Sequence, residues 1–234
     1  SVMGIINVTP DSFSGDGFGI NFDSAISQAV QFVKDGADII DVGGESTRPP
    51  NLYKNVKEIS VSEEIERVIP VIEGIRSQSD VCVSIDTSKS EVAIEAIRAG
   101  ATIVNDIWGL KKDSKLVKVI ADNNVYVVIM HNSLSDTYSD VVTDTINDLK
   151  QSIDFAENNG VERSKIIVDP GFGFAKNLNH NLEIIRRLSE YKFLESPILI
   201  GPSRKSTIGK ILDLPVDDRL EGTSALLAVS IYNG

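Results

Sequence analysis

Ser84-Ile85-Asp86-Thr87-Ser88-Lys89-Ser90-Glu91-Val92-Ala93-Ile94-Glu95-Ala96-Ile97-Arg98-Ala99-Gly100-Ala101-Thr102-Ile103-Val104-Asn105-Asp106-Ile107-Trp108-Gly109 reads as the end of one strand, a crossover helix and a whole second strand. Each strand runs apolar and then stops on a group that hydrogen-bonds: Asp86 after Val83-Ser84-Ile85, and Asn105-Asp106 after Ile103-Val104. Parallel strands covered on both faces have this pattern, because nothing polar fits until the strand reaches its open end. Two neighbouring strands with polar ends point to one shared site.

Outward from that stretch, the same grammar repeats. Val2-Met3-Gly4-Ile5-Ile6 ends at Asn7, and residues 37–42 open into Gly43-Gly44-Glu45-Ser46-Thr47-Arg48-Pro49-Pro50. Residues 80–85 form the third strand and 101–104 the fourth. Residues 125–130 end at His131, 165–168 at Asp169-Pro170-Gly171, and 198–200 at Gly201-Pro202-Ser203-Arg204-Lys205. Helical patterns lie between them. One is capped by Asp23 and closed by Gly36, one starts at Ser62 with Pro70 predicting a kink or break, and others cover about 140–159, 182–188 and 220–232.

Strand–helix alternation from end to end predicts a parallel α/β sheet with right-handed crossovers. Polar residues ending nearly every strand favour a (β/α)8 TIM barrel with one rim site over an open doubly wound sheet. Only seven βα units are legible, so the eighth strand and helix are expected to be absent from these 234 residues. Neither a linker nor a low-complexity segment interrupts the chain, and residues 1–234 read as one domain.

The formal net charge of −11 argues against a nucleic-acid or anionic-membrane surface, although local Arg and Lys can still bind a small anion. Cys82 is the only cysteine, which rules out an intrachain disulfide and fits a reducing compartment. On its strand it is expected to be inert core. No apolar run reaches membrane-spanning length, and residues 1–8 lack the pattern of a signal peptide. The expected location is the cytoplasm.

Asp86, Asn105 and Asp169 end three separate strands and offer two carboxylates and one amide. Such a set suits a flat heterocycle with an amidine-like edge; acidic strand ends also cap helices and close turns. Lys205, with Arg204 and Ser203, stands where barrels commonly hold phosphate. The Gly/Pro/Ser-rich loops after strands one and two carry Asp11, Ser12, Asp16, Ser46, Thr47 and Arg48, and such loops can exclude water from a reactive intermediate. His131 reads as a structural hydrogen-bonder or a general base, and Trp108 as packing near the rim. No zinc-ligand spacing, GxGxxG loop or nucleophile–base pair is legible.

Seven stretches together resemble one family. They are Met3-Gly4-Ile5-Ile6-Asn7-Val8-Thr9-Pro10-Asp11-Ser12-Phe13-Ser14, Asp41-Val42-Gly43-Gly44-Glu45-Ser46-Thr47-Arg48-Pro49, Ser84-Ile85-Asp86-Thr87, Asn105-Asp106-Ile107-Trp108-Gly109, Met130-His131-Asn132, Asp169-Pro170-Gly171-Phe172-Gly173-Phe174 and Ser203-Arg204-Lys205-Ser206. In this order they resemble the dihydropteroate synthases across the whole chain. The resemblance implies a barrel enzyme that joins (7,8-dihydropterin-6-yl)methyl diphosphate to 4-aminobenzoate, giving 7,8-dihydropteroate and pyrophosphate in folate biosynthesis. It implies that Asp86, Asn105, Asp169 and Lys205 hold the pterin, with Asp86, Asp169 and Lys205 in the catalytic role. Asn7 would sit at the diphosphate and Mg²⁺, and Thr47, Arg48, Phe174, Lys205 and Ser206 at the aminobenzoate. A dissociative substitution through a pterin cation, a homodimer and sensitivity to sulfonamides are further implications.

Two departures stand out. Loop one reads Ser14-Gly15-Asp16-Gly17 where the family has Ser-Asp-Gly-Gly, which displaces Asp16 by one position. The family's Arg-x-His anion site lies on the eighth strand, which these residues do not include. A pterin-dependent methyltransferase domain and a non-catalytic pterin-binding module are the competing expectations.

Overall fold

Six parallel strands carry the architecture: β1 (Met3–Asn7), β2 (Ile39–Gly43), β3 (Cys82–Asp86), β4 (Ile103–Asp106), β5 (Tyr126–Met130) and β6 (Ile166–Asp169). The computed structural model describes residues 1–9, 21–45 and 59–234. Contacts group the chain into two units, Ser1–Val127 and Val128–Gly234, with β5 continuous across the division.

In the first unit, β1 to β4 pair in parallel, placing Ile5 opposite Asp41, Asp41 opposite Ser84, and Asp86 opposite both Gly43 and Asn105. The amide of Tyr126 extends the ladder to β5 by donating to Thr102 O (3.0 Å). In the second unit the His131 amide, just past β5, donates to Asp169 O of β6 (2.9 Å). The resulting order β1-β2-β3-β4-β5-β6 is strictly sequential. That is the connectivity of a barrel, whereas a doubly wound sheet reverses order at a switch point.

Strand period decides what each face holds. One face of β1–β4 carries Ile6, Ile40, Val42, Val83, Ile85 and Val104, all fully buried. The other carries Asn7, Asp41, Gly43, Ser84, Asp86 and Asn105. Three helices accompany this unit: α1 (Phe22–Lys34), α2 (Val61–Arg76) and α3 (Ser90–Arg98), with α4 (Leu116–Asn123) following β4. Ala25, Ala29, Val68, Val71, Ile72, Val92 and Ala96 are among their fully buried positions. The second unit adds α5 (Val141–Asn158), α6 (Leu178–Arg186), α7 (Ser206–Leu212) and α8 (Leu220–Asn233). Its core includes Leu149, Ile184 and Tyr191, whose hydroxyl meets Thr145 Oγ1.

Several expectations are corrected. The seventh strand is a single bridge from Val168 to Ile198, fixed by Val168 N to Pro197 O and Leu199 N to Val168 O. Pro197 and Pro202 bracket this stretch, and prolines lack the N–H that would prolong a ladder. Pro70 neither breaks nor ends α2, which runs on to Arg76. Glu66, whose carbonyl loses its i+4 donor, is exposed, so solvent can satisfy it. The cap of α1 is Asn21, whose side chain accepts from Ser24 N; Asp23 lies in the first turn, where its charge suits the helix dipole. Cys82 is exposed rather than core because it is the first residue of β3, at the opposite end from Asp86; Ser84, two residues on along the same face, is fully buried. The helix expected at 182–188 begins earlier, at Leu178, behind an Asn177–His180 capping box.

Candidate functional site

In the first unit the polar groups arise from register. Asp86 and Asn105 are direct partners on β3 and β4, so their side chains emerge side by side, about 4.8 Å apart at the backbone. Gly43 is Asp86's partner on the other side. A Cβ built there would lie 3.4 Å from Asp86 Cβ and 3.8 Å from Asn7 Oδ1, so glycine leaves the space between those two groups open.

Asp86 is held well above the usual carboxylate range by burial first, and then by the negative charges of Asp41, Glu64, Asp106 and Glu45. A carboxyl so surrounded gains most from a guest that brings cationic character or several N–H donors. Asn105, half-buried, donates from Nδ2 to Asp41 Oδ2 at 3.0 Å. Its backbone carbonyl accepts from Thr87 N at 3.1 Å, pinning the end of β4 to the turn after β3.

Asp106, one residue on, faces the other way. It is fully buried and accepts from Trp108 N (2.9 Å) and Leu110 N (2.6 Å), closing the turn that holds half-buried Trp108. Burial raises its carboxyl to about 6 against the pull of those two N–H groups. Of the Asn105-Asp106 pair, therefore, the amide serves the site and the acid serves the turn.

Sequence reasoning missed two groups here. Asp41 lies one step below Gly43 on the same face. Lys89 donates to Glu45 Oε2 (2.7 Å), Glu64 Oε2 (2.6 Å) and Ile59 O (2.9 Å). Asp41 was visible only as a polar residue interrupting the apolar run 39–42. Nothing local marks Lys89, whose partners lie 25 to 44 residues away.

In the second unit Asp169 ends β6, buried, with Oδ1 accepting from Gly171 N at 2.7 Å. Burial raises its carboxyl; Lys205, the Gly171 N–H and Lys176 oppose that rise. Lys205 follows the Ile198 bridge and precedes α7, and burial lowers its ammonium to about 8 against the attraction of Asp169. Lys205 Nζ donates to Phe172 O and stands 4.5 Å above the Phe174 ring, a cation–π distance. Ser206 opens α7 and is exposed.

The loop between Asp169 and Lys176 depends on glycine. Gly171 has φ +74°, and a Cβ there would sit 2.0 Å from His131 O. His131 is buried and structural: besides its bond to Asp169 O, Nδ1 pairs with Lys176 Nζ at 2.9 Å. Lys176, also missed in the sequence, donates to Phe174 O at 3.1 Å and is lowered to about 7 by burial.

The first unit thus brings together Asn7, Asp86 and Asn105, and the second brings together Asp169, Phe174 and Lys205, with Ser206 adjacent. Thr47 and Arg48 lie outside the described residues, as do Asp11, Ser12 and Asp16.

The family model described as pterin binding enzyme matches residues 3–234. Dihydropteroate synthase of Bacillus subtilis (strain 168) is 47% identical over 233 residues, covering 100% of this chain and 80% of the relative. A Clostridium difficile dihydropteroate synthase crystallised in the presence of pteroic acid superposes with TM-score 0.94 and 47% identity, covering 100% of this chain and 87% of that one. A Xanthomonas albilineans dihydropteroate synthase with 4-aminobenzoic acid gives TM-score 0.93 and 37% identity, over 100% and 84% of the two chains.

Proposed function

This chain belongs to the pterin-binding enzyme family, and we infer that it works as a dihydropteroate synthase, a transferase of folate biosynthesis. It condenses (7,8-dihydropterin-6-yl)methyl diphosphate with 4-aminobenzoate to give 7,8-dihydropteroate and pyrophosphate. Apart from the whole-chain likeness, one observation carries the reading: Asp86 and Asn105 are register partners on adjacent strand ends. A carboxylate beside an amide, at that spacing, reads the row of donors and acceptors along a pterin edge.

Asp86, Asn105, Asp169 and Lys205 are the pterin-binding residues of this proposal. The reaction breaks the bond between the pterin methylene carbon and the diphosphate oxygen, whose electron pair leaves with pyrophosphate. The methylene cation is then attacked by the aryl amine, which afterwards loses a proton. Asp86 and Asp169 are the electrostatic partners of the positive ring, and no covalent nucleophile is required. Lys205, above Phe174, supports the pterin and the aminobenzoate together, with Ser206, Thr47 and Arg48 completing the aminobenzoate contacts.

Asn7 fits as a protein ligand for Mg²⁺. It supplies a neutral oxygen beside the open space at Gly43, and the described residues hold no cluster of three His, Cys, Asp or Glu. Mg²⁺ typically takes one or two protein oxygens and completes its shell with phosphates and water. When bound, it neutralises charge on the leaving diphosphate.

No helix among the described residues is long and apolar enough to cross a membrane. A cytoplasmic homodimer inhibited by sulfonamides, competitively with 4-aminobenzoate, completes the proposal. The test is pyrophosphate release from the dihydropterin diphosphate with Mg²⁺ present. Release that depends on 4-aminobenzoate supports the reading. Pterin binding without release would mark a binding module, and methyl transfer from a folate to a corrinoid would mark a methyltransferase.

A further inference from the structure

We propose that Asp41 is a positioning residue for pterin recognition, setting the polarity of the Asn105 amide from beneath. The inference rests on the pterin reading above. Asp41 lies on β2, two residues before Gly43 and on the same face, opposite Ser84 of β3. Its Oδ2 accepts the Nδ2–H of Asn105 at 3.0 Å. An ionised carboxylate only accepts, so this bond dictates which end of the amide faces it. The other Nδ2–H and the Oδ1 of Asn105 are then left as a donor–acceptor pair of fixed order. Without Asp41 the NH₂ end of the amide has no acceptor beneath it, so the amide turns over and presents the wrong order to the heterocycle.

The surroundings of Asp41 argue for this role over a purely structural one. Its carboxylate is 2% exposed, and its Oδ1 has no hydrogen-bond partner among the described residues. Ser84 Oγ, fully buried on the partner strand, is likewise unpartnered. Burial pushes the Asp41 carboxyl up; the neighbouring Ser84 hydroxyl, although it makes no well-formed hydrogen bond, and the Asn105 amide pull it down. A buried carboxylate with only neutral neighbours and a single well-formed hydrogen bond destabilises a fold compared with an apolar residue of similar size. Asp41 therefore costs stability where it stands, and the gain is the fixed amide above it.

The test titrates the protein calorimetrically with 6-hydroxymethyl-7,8-dihydropterin, and in parallel measures melting temperature. Wild-type binding establishes the pterin reading independently of the variants, and wild-type turnover is assayed separately. Asp41→Asn keeps a carbonyl acceptor for Asn105 and gives Ser84 a donor; its affinity should stay within about threefold of wild type. Asp41→Leu removes the acceptor and should weaken binding by about tenfold or more without lowering the melting temperature. In an Asn105→Ala background, Asp41→Leu should add less than about twofold, because the residue acts through Asn105. The proposal is overturned if Asp41→Leu binds like wild type, or if Asn and Leu weaken binding alike. It is equally overturned if the loss persists in full without Asn105, or if weakened binding merely tracks a lower melting temperature.

Discussion

Lys89 Nζ lies 2.6 Å from Glu64 Oε2, an ion pair whose side chains are 12% and 1% exposed. The same ammonium also holds Glu45 Oε2 and the carbonyl of Ile59. Lys89→Met leaves Glu64 buried without a counter-charge and should cost about 3–5 kcal/mol, the usual range for breaking a buried pair from one side. Urea denaturation at neutral pH checks this. A loss below about 1 kcal/mol, the scale of a surface pair, would show that solvent already screens the group.

Lys205 should set the alkaline limb of activity. Its ammonium is lowered to about 8 by burial, so its charge disappears as pH rises through that value. The plot of kcat/KM against pH should fall above about 8. Lys205→Met should lower kcat/KM about a hundredfold, the order for losing one preorganised electrostatic partner, and should flatten that limb. An unchanged limb in the variant would assign the titration to another group.

Lys176 makes stability depend on pH. Its folded value is about 7 against 10.5 for an ordinary lysine. Between those values the unfolded chain binds more protons than the folded one, so this group favours folding increasingly as pH rises from about 7 towards 10. That contribution is lost as pH falls through about 7. Relative to Lys176→Met, the wild type should therefore gain stability between pH 7 and pH 9.5, as measured by denaturant midpoints. A constant difference would mean that the ammonium stays charged throughout.

Asp106 has the opposite sign. Its folded value of about 6 exceeds the ordinary 3.8, so the folded chain holds the extra proton between them. Its contribution is fully present below about 4 and is lost as pH rises through about 6. Asp106→Asn keeps one acceptor for two backbone donors and should cost about 1–3 kcal/mol, with the slope between pH 4 and 6 reduced.

Gly171→Ala should be among the most damaging single changes. The new Cβ would meet His131 O at 2.0 Å with φ already at +74°, so clash and backbone strain coincide. Low soluble yield, and loss of pterin binding in any protein recovered, are the expected results.

The strand ends were legible because an apolar run followed by one polar residue is a local signal. Asp86 and Asp169 end their strands as that signal indicates, and Asn105 is the last residue but one of β4. The alternation itself was harder to use. Cys82 and Ser84 share the polar face with Asp86, but Cys82 reads as a small apolar residue, and its exposure follows from its place at the start of β3. Lys89 and Lys176 could not be found, because each owes its role to partners far along the chain and carries no spacing pattern of its own. The bridge at Ile198 was overestimated because Ile-Leu-Ile has the composition of a strand, while the prolines on either side limit what it can pair with.

The opposed directions of Asn105 and Asp106 have a genetic corollary. Adjacent residues on β4 do unrelated jobs, and only parity along the strand assigns them. Exchanging the two codons would leave composition, charge and length untouched, yet it would turn an amide towards the turn and a second carboxylate towards Asp86. A frame of one residue is thus the unit of meaning at this point in the chain, and a deletion within residues 101–104 would do more harm than most substitutions there.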